Sequence, residues 1–115
     1  MRVHKSFLDS EGDLFPTAFR NQPKGSIGMS VDWSEYAEPI DTKNRANKPD
    51  ENAVIKFTAG NARNIPNQIV EHKPVSPPEI PNQAHSEVIG DKKDVEVRER
   101  FMQIYEMEIP LINSI

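Results

Sequence analysis

The chain has 115 residues, with 14 basic and 18 acidic side chains, three histidines, ten prolines and no cysteine. Its net charge of −4 gives no general attraction to nucleic acid or anionic lipid. The missing cysteines exclude a disulfide, a thiolate nucleophile, an iron–sulfur cluster and a cysteine-based zinc site.

This length corresponds to a single domain, 1–115, able to bury one core without staples. Hydrophobic residues make up only 36%, so the expected core is thin and bordered by long loops. No window approaches the roughly 18 apolar residues of a membrane span. The opening "MRVHKSFLDSEG" holds no continuous apolar stretch of the signal-peptide kind. A soluble, cytoplasmic protein is expected, with no membrane partner.

Val3 to Leu8 reads as a short extended run, followed by the turn signal Asp9-Ser10-Glu11-Gly12 and a second run, Leu14 to Arg20. "SIGMSVDW" alternates, with Ile27, Met29, Val31 and Trp33 on one side, and predicts a half-buried strand with Trp33 in the core, the alternative being an exposed ring suited to stacking. Ser34 is a candidate N-cap for a helical turn, "EYAE", stopped before Pro39. Pro39 to Asn52 is polar and aperiodic, and predicts a mobile loop.

"NAVIKFTAG" predicts a second strand, with Val54 and the Lys56 stem on one face and Ile55 and Phe57 on the other. Gln68 to Lys73 predicts a third. "PVSPPEIP" favours polyproline geometry, and "AHSEVIG" resumes order briefly. Val97, Phe101, Ile104 and Tyr105 recur at helical spacing and predict a helix from Lys92 to Glu106. Asp94 with Arg98 and Glu96 with Arg100 would support it as i, i+4 pairs. The apolar tail "PLINSI" must then dock on its own domain or on a protein partner.

Strands followed by a terminal helix make the expected class α+β. The expected architecture is a small antiparallel or mixed sheet, the C-terminal amphipathic helix packed on one face, and long Pro-rich loops. Connections this short rule against repeated βαβ crossovers.

His85-Ser86-Glu87 has the His-x-Glu spacing of zinc nucleobase deaminases, but those enzymes need cysteine ligands that this chain lacks. Gly25 to Gly28 matches the Gly-x-x-Gly loop of KH domains. That loop joins two helices, whereas a strand follows here, so a plain turn is expected. His72 and His85 flank the Pro-rich run, which could fold back and bring them together as general base and acid on a phosphodiester. Lys73, Arg63 or Arg20 would then meet the developing charge. His72, His85 and Glu87 also form a metal-ligand set by residue type. Against both stands a structural reading: a surface His72, and a partly buried His85 that hydrogen-bonds a loop backbone.

"GMSVDWSEY" and "NQAHSEVIG" together resemble small prokaryotic proteins that carry a Leu-Ser-Val-Asp stretch and a later Asn-Pro-Ala-His stretch, a family with no established activity. The match covers Gly28 to Asp32 and Asn82 to His85, with weaker similarity from Val3 to Phe7. This chain has Met29 for Leu and Gln83 for Pro. The resemblance implies that Asp32 and His85 belong to one site, and it names no reaction. The candidate site residues are therefore His85, His72, Asp32 and Arg20, with no cofactor implied. The function expected first is a small binding or interaction domain. A phosphodiesterase or ribonuclease-like hydrolase and a metal-binding domain are the alternatives.

Overall fold

The structure, a computed structural model, describes residues 1–22, 26–77 and 81–111. In chain order its elements are β1 (Arg2–His4), β2 (Gly28–Asp32), α1 (Pro39–Asn44), β3 (Asn52–Lys56), α2 (Ala59–Arg63), β4 (Ile69–His72), β5 (His85–Ile89), α3 (Val95–Ile104) and β6 (Glu106–Ile109). The fold is α+β. Its strands divide between two antiparallel three-stranded sheets, ordered β1-β3-β6 and β2-β5-β4, where the sequence suggested one.

The core lies between these layers. Phe19, Ile55, Val88 and Phe101 are each 1% exposed or less. Phe19 follows a one-turn 3-10 helix, Pro16–Ala18, and stacks on Phe101 of α3 at 5.0 Å between ring centroids. Phe57, just past β3, meets the Phe101 ring edge-on at 5.9 Å. The terminal helix thus packs on the sheet through Val97 and Phe101, two of the four residues that its spacing nominated. Ile104 and Tyr105 are partly buried against the same core.

Both ends of α3 differ from expectation. Asp94 is its N-cap, accepting the Glu96 amide at 2.8 Å, so the carboxylate expected to pair with Arg98 serves the backbone instead. Arg98 donates Nε to the Lys92 carbonyl at 2.7 Å. The second expected pair forms, with Arg100 3.6 Å from Glu96. At the other end Tyr105 turns extended, and Glu106–Ile109 pairs with β3. "EMEI" is therefore an edge strand, its polar residues exposed and its apolar ones half-buried, with Glu108 3.0 Å from Lys56. The tail expected to dock on a partner runs into 112–115, outside the described residues.

Pro39–Asn52 is not a structureless loop. Pro39 occupies the first turn of α1, where a missing N–H costs nothing. Asp41 accepts the Glu38 amide at 3.0 Å, completing a capping box. Lys43 then ties the following turn down by donating to the carbonyls of Pro49 and Asn52, at 2.8 and 2.6 Å. Ser34 caps no helix. Residues 34–36 form a turn closed by the Tyr36 amide on the Trp33 carbonyl, 3.0 Å away. Of the polyproline segment, 78–80 lie outside the described residues, as do 23–25 of the Gly-x-x-Gly region. No helix among the described residues is long and apolar enough to cross a membrane.

Candidate functional site

Gly28 to Asp32 forms β2, and the stretch Asn82 to His85 turns into the neighbouring strand β5 at His85. β2 pairs with β5 so that Asp32 faces His85, Ser30 faces Glu87 and Val31 faces Ser86. Residues directly opposite each other share a face, and successive residues alternate faces. Ser30, Asp32, His85 and Glu87 therefore project from one side of this sheet. Met29, Val31, Ser86 and Val88 project from the other, toward the core. Gly28 begins β2 because a Cβ there would collide with the Glu87 carboxylate folded over it.

Asp32 organises its surroundings. One carboxylate oxygen accepts from Thr42 Oγ1 at 2.7 Å and from Arg45 at 2.6 Å, and the other accepts from Asn82 Nδ2 at 2.9 Å. Thr42 and Arg45 come from α1 and its C-cap, so the capping box at Glu38 indirectly sets this corner. Burial alone would raise the Asp32 pKa. The hydrogen bonds from Thr42 and Asn82 and the charge of Arg45 outweigh it, holding the carboxyl below its ordinary value of 3.8. With the folded value below the unfolded one, the carboxylate stabilises the fold at neutral pH, and that share is lost as pH falls through the folded value. Asp32→Asn is expected to cost about 1.5–3 kcal/mol at pH 7. The gap to the parent should narrow below pH 3.8. Urea unfolding across that range checks it, and a gap that stays constant would contradict it.

His85 is partly buried and oriented by the backbone. Its Nδ1 lies 2.8 Å from the Lys73 carbonyl oxygen, which only accepts, so Nδ1 carries the proton. In the neutral ring Nε2 then holds the lone pair, and it lies 3.4 Å from Ser30 Oγ.

A cleft of about 660 Å³ opens over this face, bounded by β1 and the segment around Arg20. Asp32, His85 and Arg20, three of the four candidate residues, line it together. Arg20 lays its guanidinium over the Phe7 ring, 4.4 Å from the centroid. Arg2 and Arg45 line the same cleft, as does His4.

His72 is elsewhere. It pairs with Ser86, not His85, so it projects from the opposite face of the sheet. There it borders a second groove of about 740 Å³ between the two sheets and bonds the Gln83 carbonyl through Nε2 at 2.7 Å. Trp33 and Tyr36 surround it, at centroid distances of 5.1 and 5.5 Å. Trp33 is 42% exposed, so the expectation that it sits in the core is corrected: it lies one residue past the end of β2, beyond the covered part of the strand. The two histidines are thus not brought together as an acid–base pair. Nor do His72, His85 and Glu87 converge, and no group of three potential ligands among the described residues is placed to hold a metal ion. Of the three cations considered for charge stabilisation, Arg20 alone lines the cleft. Arg63 borders the other groove, and Lys73 pairs with Glu71 and Glu87.

Ser30, Asn82 and Arg45 were not among the candidates drawn from the sequence. The first two lie inside the very stretches that carry the resemblance, which is the signal that could have found them. No protein-family model, curated protein or solved structure matches the chain.

Proposed function

We propose that this chain is a small binding domain whose cleft over β2 and β5 takes an anionic ligand, one carrying a phosphate or carboxylate group. One observation carries the reading. Among the described residues the cleft is lined by three arginines against a single carboxylate, Asp32, in a chain of net charge −4. Arg45 already meets that carboxylate at 2.6 Å. Among the described residues no carboxylate pairs with Arg20, whose charge is left to face the cleft. A local concentration of cations in an acidic protein attracts anions through focused field lines, and guanidinium groups suit planar, two-point recognition of oxyanions. A reducing, cytoplasmic setting is part of the proposal, consistent with the cysteine-free sequence.

Calorimetric titration with inorganic pyrophosphate tests it. Binding should weaken as salt is raised and fall by about tenfold in Arg20→Ala, the size of one lost charge-assisted contact. His72→Ala should leave it unchanged. Undetectable binding, or equal affinity in parent and Arg20→Ala, would refute the reading.

A further inference from the structure

The geometry points to Ser30 and His85 as a nucleophile and its general base, acting on a carboxylic ester that carries a negative charge. A serine hydroxyl is a weak nucleophile until a base takes its proton, and that base works only when a third group fixes its tautomer. Those three parts stand in line here. The Lys73 carbonyl holds the proton on Nδ1, which leaves the Nε2 lone pair free, and Nε2 lies 3.4 Å from Ser30 Oγ. Nucleophile–base distances of this kind are often loose before substrate binds.

The two other serines of these strands and their approaches are differently occupied. Ser86 donates to the Ala84 carbonyl at 3.2 Å and points the opposite way, and Ser26 accepts the Gly28 amide at 3.3 Å. Ser30 is exposed in the cleft, and among the described residues its hydroxyl has a hydrogen-bond partner in His85 alone. A histidine serving purely as an anchor needs Nδ1 alone. This one also presents Nε2 to a hydroxyl in a cavity.

In the step, Ser30 Oγ bonds to the ester carbonyl carbon while its proton passes to His85 Nε2. The bond from that carbon to the leaving alcohol oxygen then breaks, and the alcohol takes the proton. Water attacks the acyl-serine with His85 again as base, releasing the acid and returning the proton to Oγ. Arg20 lines the same cleft and would hold the anionic substituent, so the substrate's charge rests on the binding reading above, whereas the Ser30–His85 chemistry does not.

The test is acylation of the whole chain by mono-4-nitrophenyl succinate and, separately, by 4-nitrophenyl acetate, followed by peptide mapping. The expected result is one acyl group, on Ser30, absent in Ser30→Ala and formed at least about a hundredfold more slowly in His85→Ala. His72→Ala should acylate normally. Arg20→Ala should slow only the succinate ester. Ser30→Cys places a single thiol in the chain, and its alkylation by iodoacetamide should be slower when His85→Ala is added, a readout that does not depend on ester chemistry. Acylation scattered over lysines at the same rate in Ser30→Ala, or alkylation indifferent to His85, would overturn the proposal. Pyrophosphate binding with no acylation of Ser30 would defeat this inference and spare the binding reading. Acylation of Ser30 by both esters without pyrophosphate binding would uphold the pair and defeat the binding reading.

Discussion

Phe101→Ala should destabilise the protein by about 3–5 kcal/mol, the usual cost of emptying a buried phenylalanine site. The residue has no exposed surface. Its ring joins three parts of the chain at once, stacked on Phe19 and met edge-on by Phe57. Neither neighbour can move in to fill the void without dragging the 3-10 turn or the end of β3 after it. Urea unfolding measures the loss. A change below about 0.5 kcal/mol, the size typical of surface substitutions, would mean that α3 does not pack on the sheet as described.

Lys92→Met is the second large effect, with an expected loss of about 2–4 kcal/mol. Lys92 is completely buried. Its Nζ donates to the carbonyls of Ile27, Val88 and Gly90 at 2.9, 2.9 and 2.7 Å, tying the approach to β2 to the far end of β5. Methionine keeps the stem's length and apolar packing but leaves the three oxygens without this donor. Ile27 also accepts from the Gly90 amide at 3.1 Å, which moderates the cost. Burial pulls the ammonium down to about 8 from 10.5, with the charge of Asp91 opposing. Between those values the unfolded chain binds more protons than the folded one, so the parent should gain stability relative to Lys92→Met as pH rises from 8 to 10.5. Denaturant melts of both proteins over that window check the sign. A gap that shrinks would contradict it.

The parts of the fold legible in the sequence were those long enough to show a period. Met29 and Val31 alternate within β2, and Val97 and Phe101 recur at helical spacing in α3. β3 and β4 were also anticipated, in the strand runs at Asn52 and at Gln68 to Lys73, whereas the short α1, α2 and β6 were not legible. Pro39 reads as a stop when preceded by a helix candidate and as a start when followed by one, and only the Glu38–Asp41 capping box decides between them. The short α2, capped by Thr58 on the Asn61 amide at 3.1 Å, and β6 were hidden for the same reason. Trp33 misled because the alternation was carried one residue beyond the strand.

For the site, residue chemistry nominated His72, His85 and Arg20, and the resemblance added Asp32 beside His85. Register was the missing information. Ser30 and His85 are 55 residues apart in sequence, and nothing local to either records that β2 and β5 pair. A difference of one position along β4 decides which face His72 occupies. Composition cannot report that.

The central claim is that β2 and β5 pair in one register that sets Ser30, Asp32 and His85 on a common face. The Trp33 amide bonds the Ala84 carbonyl at 2.8 Å, which makes the Asp32–His85 pair a non-hydrogen-bonded one, with its α-protons pointing at each other. A nuclear Overhauser spectrum of the labelled protein tests this directly. The account predicts strong α-proton cross-peaks between Asp32 and His85 and between Ser30 and Glu87. Cross-peaks from Asp32 to Ala84 or Ser86 in their place would turn the two strands' side chains to opposite faces and contradict it.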